Sequence, residues 1–211
     1  MNWSQIKGQE NVKRAVEVAS AGKHSIMLIG APGTGKTAIL SEFYDNIIEY
    51  VSKAEWDAVS ARIDSGEPVA ITMTACPCGH YNNPKQVCEC ERVDIEKHLN
   101  QVPGTLIDRI EVVIEVTPPK SRELLNGSMG ESTEAVKERI MGAVKGSDTK
   151  ICTASKELLK MALDKLGLSA RQYNNSLRVA RTIANLAHSQ QIRPEHIAEA
   201  IQYQSYNYHT H

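Results

Sequence analysis

Apolar positions at Val12, Ala15, Val16 and Ala19 recur three and four residues apart and predict an amphipathic helix over residues 9–21. A strand-sized apolar run follows at 25–29. A Gly-rich turn separates it from a helix predicted from Lys36 to about Val51. Residues 53–65 predict another helix, closed by Gly66, and the β-branched stretch 69–74 predicts a strand. Residues 94–99 read as helical, and 110–116 as a strand stopped by Pro118 and Pro119. Beyond Pro119 only helical patterns remain, over 132–144, 155–166 (ended at Gly167), 169–189 and 194–203. At the last of these, Pro194 supplies the first turn, Arg193 stays outside and Glu195 suits the positive end of the helix. Strands and helices followed by helices alone predict an α/β protein. Its core spans residues 1–119, a helical region spans 120–203, and a frayed tail spans 204–211.

Composition narrows the class without naming a function. With 211 residues and 41% apolar content the chain can bury a core without staples. Aromatics make up only 5%, so aliphatic packing must carry that core. Lys plus Arg number 24 against 25 acidic residues, a net charge of −1 that excludes a charged disordered chain. This balance gives no global argument for nucleic acid, although a local patch can still bind it. No stretch approaches the roughly 20 apolar residues of a membrane span. The N-terminus lacks the layout of a signal peptide. A cytoplasmic, membrane-free protein with free thiols is therefore expected.

The first stretch with chemistry is Gly30-Ala31-Pro32-Gly33-Thr34-Gly35-Lys36-Thr37, a complete G-x-x-x-x-G-K-[ST] between a strand and a helix. Glycines let backbone N–H groups approach phosphate oxygens. Lys36 is expected to reach the β- and γ-phosphates, Thr37 to place its hydroxyl on Mg²⁺, and the helix to add its N-terminal field. ATP with Mg²⁺ is the implied ligand. A hydrolysing site also needs a carboxylate at the end of an apolar strand. None is evident between Thr37 and Cys76; Asp64 and Glu67 flank Gly66 without a buried strand before them.

Cys76, Cys78, Cys88 and Cys90 form C-x-C, nine residues, then C-x-C. Two pairs of soft ligands suit a closed, structural tetrahedral Zn²⁺. An iron–sulfur cluster, or reduced cysteines without metal, are the other readings; His80 is a spare ligand. Cys152 reads as a partly buried small hydrophobe. Arg109, just before a strand, suits either a surface salt bridge or a group reaching a neighbouring subunit's nucleotide. Arg171, Arg178 and Arg181 share a stripe of the predicted long helix, which can face phosphate, nucleic acid or only water. Trp56 reads as a packing residue.

Together these segments resemble the ATPase module of the magnesium-chelatase-like AAA+ proteins, in particular the ComM/YifB-type competence and branch-migration proteins. The resemblance rests on Ile6-Lys7-Gly8-Gln9-Glu10, GAPGTGKT from Gly30, CPCGHYNNPKQVCEC from Cys76 and LIDRIEVVIEV from Leu106. It continues in ELLNGSMGESTEAVKERI from Glu123 and in the long string from Leu166. It implies an abbreviated P-loop AAA+ αβα core followed by an all-helical lid, assembly into rings with itself or with partner AAA+ subunits, and ATP between subunits. By the same resemblance Arg109 is the finger reaching a neighbour's γ-phosphate. Arg171, in Leu-Ser-Ala-Arg, is the lid arginine sensing nucleotide in its own subunit, and single-stranded or branched DNA is a possible partner.

The chain departs from the family pattern in three places. Only the residues from Ala38 to Ala75 separate the P-loop from the cysteine motif, where the family carries a longer segment with an apolar strand ending in Asp-Glu and pore-facing loops. Thr74-Ala75 stands where the family has Asn-Pro before Cys-Pro-Cys. No counterpart of the family's amino-terminal protease-like fold is expected within these 211 residues. The expectation is an internally shortened, ATP-binding module with weak or no hydrolysis. Alternatives are a non-hydrolysing regulatory subunit of a partner's ring, a degenerate ATPase, and, with least support, a metal-chelatase subunit.

Overall fold

The apolar run Ile26–Ile29 forms strand β1, the centre of a four-stranded parallel sheet. The computed structural model describes residues 2–49, 53–84, 86–119, 129–143 and 151–204. Its other strands are β2 (Ile47–Glu49), β3 (Ala70–Met73) and β4 (Val112–Glu115), in the order β2-β3-β1-β4. Ile26 stands level with Ala70 on one side and Val112 on the other. β1 and β3 are buried at every residue, as expected for a parallel sheet covered on both faces.

The helices are α1 (Glu10–Gly22), α2 (Lys36–Leu40), α3 (Lys53–Asp64), α4 (Arg92–Leu99), α5 (Gly104–Ile107), α6 (Thr133–Gly142), α7 (Thr153–Leu166), α8 (Ala170–Leu186) and α9 (Pro194–Gln202). Alternation along β1 divides the interior in two. Ile26 and Leu28 join one core with Val16 of α1, Val179 and Ile183 of α8 and Ile197 of α9. Met27 and Ile29 join the other with Trp56 and Val59 of α3, Ile71 of β3 and Ile95 of α4. The helices after β4 thus share a core with α1 and the sheet. Local signals set their ends. Ser169 and Gln172 form a capping box at α8, Ser132 caps α6, and Pro194 opens α9 after an extended Arg193.

One predicted element is corrected. The helix expected from Lys36 to Val51 stops at Leu40, and Ile47–Glu49 turns back as strand β2, paired in parallel with β3. The apolar pairs 39/40, 43/44 and 47/48 repeat every four residues and imitate a helical face. Tertiary anchoring decides otherwise. Phe43 packs on Trp3 with ring centroids 4.7 Å apart, and Tyr44 donates its hydroxyl to the His24 carbonyl at 3.1 Å. These anchors release the two isoleucines to the sheet edge. Val51 and Val144, the predicted ends of two helices, lie outside the described residues. So do the family-like stretch 123–128 and most of the predicted tail, residues 205–211.

Candidate functional site

β1 runs directly into the phosphate loop, so the loop sits at the carboxyl end of the sheet. Gly30 N–H donates to the Met73 carbonyl at 3.0 Å, tying the loop to the end of β3. Gly33 and Gly35 have φ of +75° and +89°, a backbone that other residues adopt only under strain. Thr34 Oγ1 donates to the Ala31 carbonyl at 2.9 Å, and Gln9 Nε2 braces the Thr34 carbonyl at 2.7 Å. The indole N–H of buried Trp3 donates to the Ile39 carbonyl at 3.0 Å and so pins α2. Lys36 Nζ donates to the carbonyls of Gly30 and Ala31 at 2.8 and 2.9 Å. Burial lowers the pKa of this ammonium, partly offset by the charge of Glu49. Because α2 has only five residues, the loop amides rather than a long helix dipole carry the attraction for phosphate.

Glu49, the last residue of β2, is a candidate cation ligand that the sequence pattern does not reveal. Thr37 Oγ1 donates to Glu49 Oε1 at 2.6 Å. An apolar strand therefore does end in a carboxylate beside the P-loop hydroxyl. The hydroxyl and carboxylate converge on one point beside the loop, and such a hard oxygen pair fits Mg²⁺. The available signal was Ile47-Ile48-Glu49, two β-branched residues before an acid, hidden by the helix-like repeat.

The four cysteines also lie at this end of the sheet. Their sulfurs all fall within 4.8 Å of one another. Cys76–Cys78, Cys78–Cys88 and Cys88–Cys76 are separated by 3.5, 3.6 and 3.7 Å. These spacings exceed any S–S bond and match the roughly 3.8 Å edge of a tetrahedron built from Zn–S bonds of about 2.3 Å. Backbone N–H groups of Tyr81 and His80 point at the sulfurs of Cys76 and Cys78, at 3.3 and 3.5 Å. The His80 amide leads the causes that lower the Cys78 thiol to about 6. The donor set fits a tetrahedral zinc, and the sequence-predicted ligands are all brought together. His80 is not in the cluster.

A second polar region lies at the opposite, amino end of the strands. Arg109, Arg171 and Arg178 line a cavity of about 350 Å³ with Lys23, Asp64 and Glu111. Arg109 Nη1 donates to both oxygens of Asp64, the last residue of α3, at 2.7 and 2.8 Å. Arg178 Nη1 lies 3.0 Å from Glu111, whose other oxygen accepts from the Ser25 N–H. Burial alone would raise the Glu111 pKa; the contacts with His24, Ser25 N–H and Arg178 outweigh it and hold the carboxyl below its ordinary value. Among the described residues Arg171 and Lys23 have no ion-pair partner. Arg171 is therefore at the far end of the sheet from the P-loop of its own chain, together with Arg109.

The arginine stripe divides. Arg181 is 7% exposed and donates to the Ser189 and Gln190 carbonyls and to Asn185, so it fastens the end of α8 instead of facing solvent or a ligand. Trp56 is buried in the core. Cys152 precedes α7, with its sulfur 3.1 Å from Ser155 Oγ. Among the described residues no helix is long and apolar enough to cross a membrane.

Comparison with known proteins agrees with this geometry. The family model described as magnesium chelatase, subunit ChlI, matches residues 2–68 and 59–124, and that for the ChlI C-terminal region matches 146–204. Competence protein ComM of Haemophilus influenzae is 25% identical over 309 aligned residues, covering 97% of this chain and 60% of ComM. The YifB proteins of Salmonella typhimurium and Escherichia coli are each 24% identical, over 95% and 96% of this chain and 60% of their own length. The chain thus spans about 60% of these relatives. The alignment to ComM runs over 309 positions although this chain has 211, so the relative holds aligned segments with no counterpart here. The two overlapping matches, the P-loop and the parallel sheet concur: the chain belongs to the magnesium chelatase ChlI family, with the ComM and YifB proteins among its relatives.

Proposed function

We propose that the chain is an ATP·Mg²⁺-binding ATPase subunit that works in an oligomer. Lys36 binds the β- and γ-phosphates, and Thr37 with Glu49 holds Mg²⁺, which neutralises charge on the phosphates during transfer to water. The observation that carries this reading is the 2.6 Å bond between Thr37 and Glu49 beside an intact P-loop. Arg109 and Arg171 serve the nucleotide of the next copy. The sheet separates them from their own P-loop by a four-residue strand, about 13 Å of backbone. Both arginines, not Arg109 alone, thus act between copies. The helices α6–α9 take the place of the family lid, and zinc in the four-cysteine site is structural.

Turnover is expected to be slow. Among the described residues, the strand-end carboxylates on the P-loop side are Glu49 and Glu115, and Glu115 is engaged by Asn82 at 2.7 Å. With Glu49 given to the cation and Glu115 already bonded to Asn82, the described strand ends offer no further carboxylate to orient water, which favours a regulatory, slowly hydrolysing subunit as the second reading. The competence name of the Haemophilus relative makes DNA the polymer to test. The deciding experiment is ATP hydrolysis with and without single-stranded DNA, with oligomeric mass measured in parallel. DNA-stimulated turnover by an oligomer supports an ATPase in DNA processing, nucleotide binding without turnover supports the regulatory subunit, and absence of nucleotide binding contradicts both.

A further inference from the structure

The cysteine centre and the phosphate loop touch. Gly79 follows the ligand Cys78 and has φ of +78°. A Cβ there would stand 2.9 Å from Pro32 Cδ and 3.0 Å from Pro32 Cγ, so the Gly79 backbone lies directly on the proline ring inside the phosphate loop. Two further links join the same structures. Asn82 Nδ2 donates to Glu115 at the end of β4, and Gly30 N–H donates to Met73, three residues before Cys76. The described residues from Pro77 to Glu89 contain neither helix nor strand. Their shape depends on turns and on whatever the four sulfurs hold.

We propose that this centre controls nucleotide affinity: metal bound by Cys76, Cys78, Cys88 and Cys90 presses Gly79 against Pro32 and fixes the phosphate loop in its binding shape. Release of the metal frees the clip and weakens nucleotide binding. The inference rests on the nucleotide-binding reading above. Thermodynamic linkage adds a second consequence: bound nucleotide must tighten metal binding by the same factor that metal tightens nucleotide binding. Cys152 stands apart from the cluster and plays no part.

The test uses the full chain and Zn²⁺ as probe. Calorimetric ADP·Mg²⁺ affinity is measured for zinc-loaded, chelator-stripped and reloaded protein, and zinc affinity is measured with and without ADP. One zinc per chain is expected, with ADP bound about 10-fold more weakly after stripping, recovery on reloading, and an equal effect of ADP on zinc. Gly79→Ala keeps all four ligands, so it decides the question independently of how the stripped chain folds. It is expected to retain zinc and lose ADP affinity. Gly167→Ala, equally left-handed at φ +63° but with open space around it, is expected to change neither. Equal ADP affinity in loaded and stripped protein, no bound zinc, or wild-type ADP affinity in Gly79→Ala would overturn the coupling. Failure of the zinc-loaded wild type to bind ADP at all would overturn the nucleotide reading and this inference together.

Discussion

The two ends of the parallel sheet carry opposite chemistry. At the carboxyl end a glycine-rich loop, a lysine, a hydroxyl and the Glu49 carboxylate gather where a polyphosphate and its cation would sit. At the amino end three guanidinium groups line a cavity of about 350 Å³; Arg109 and Arg178 rest on Asp64 and Glu111, and among the described residues Arg171 has no ion-pair partner. On the reading proposed here, the first end binds a nucleotide, and the second completes a nucleotide site on another copy. The parallel sheet, by pointing all its strands one way, sets the phosphate loop and the arginine cavity at opposite ends of the chain's fold, so neither end alone makes up the proposed site.

The sharpest way to break this comparison is to remove a guanidinium. Arg109→Ala is expected to lower turnover about 1,000-fold, the size of an arginine-finger effect, while calorimetry finds the ADP affinity of the single subunit unchanged. Glu49→Gln attacks the other end and should cost about 100-fold in turnover, equivalent to about 2.7 kcal/mol. The Mg²⁺ dependence of ADP binding should flatten in the same variant. Lys36→Ala should weaken ADP binding roughly 10- to 100-fold, as loss of a hydrogen bond from a charged group implies. Glu111→Gln, in the support of the arginine cavity, should lower unfolding stability by about 1–3 kcal/mol in a urea titration. Its pH dependence has a fixed sign. The folded carboxyl titrates below its unfolded value, so its contribution is full above about pH 4.3 and fades as pH falls through the lower folded pKa. Wild type and variant should therefore converge on the acid side.

Much of this arrangement was legible in the chain. The P-loop, the four cysteines and the helices after Pro119 are written in local signals: a complete motif, paired thiols, capping residues and a proline at the first turn. Ile47–Glu49 was not legible, because the apolar pairs from Ile39 to Ile48 repeat every four residues while the contacts that make a strand, with β3 and through Phe43 and Tyr44, come from elsewhere. The same holds at the amino end. Arg109 and Arg171 are 62 positions apart in sequence, and neither carries a sign of which end of the sheet it occupies. Arg181 shares a helical spacing with Arg178, yet one is buried on carbonyls and the other lines a cavity. Spacing sets a helix face and leaves its neighbours undetermined.

In the proposed assembly the two ends belong to one site shared between copies. Its most direct test is ATP turnover by a mixture of Lys36→Ala and Arg109→Ala chains, each expected to be strongly impaired alone. Mixing is expected to restore turnover, because an Arg109→Ala chain still offers an intact P-loop and a Lys36→Ala chain still offers its arginine. A mixture as inactive as either variant alone would contradict it.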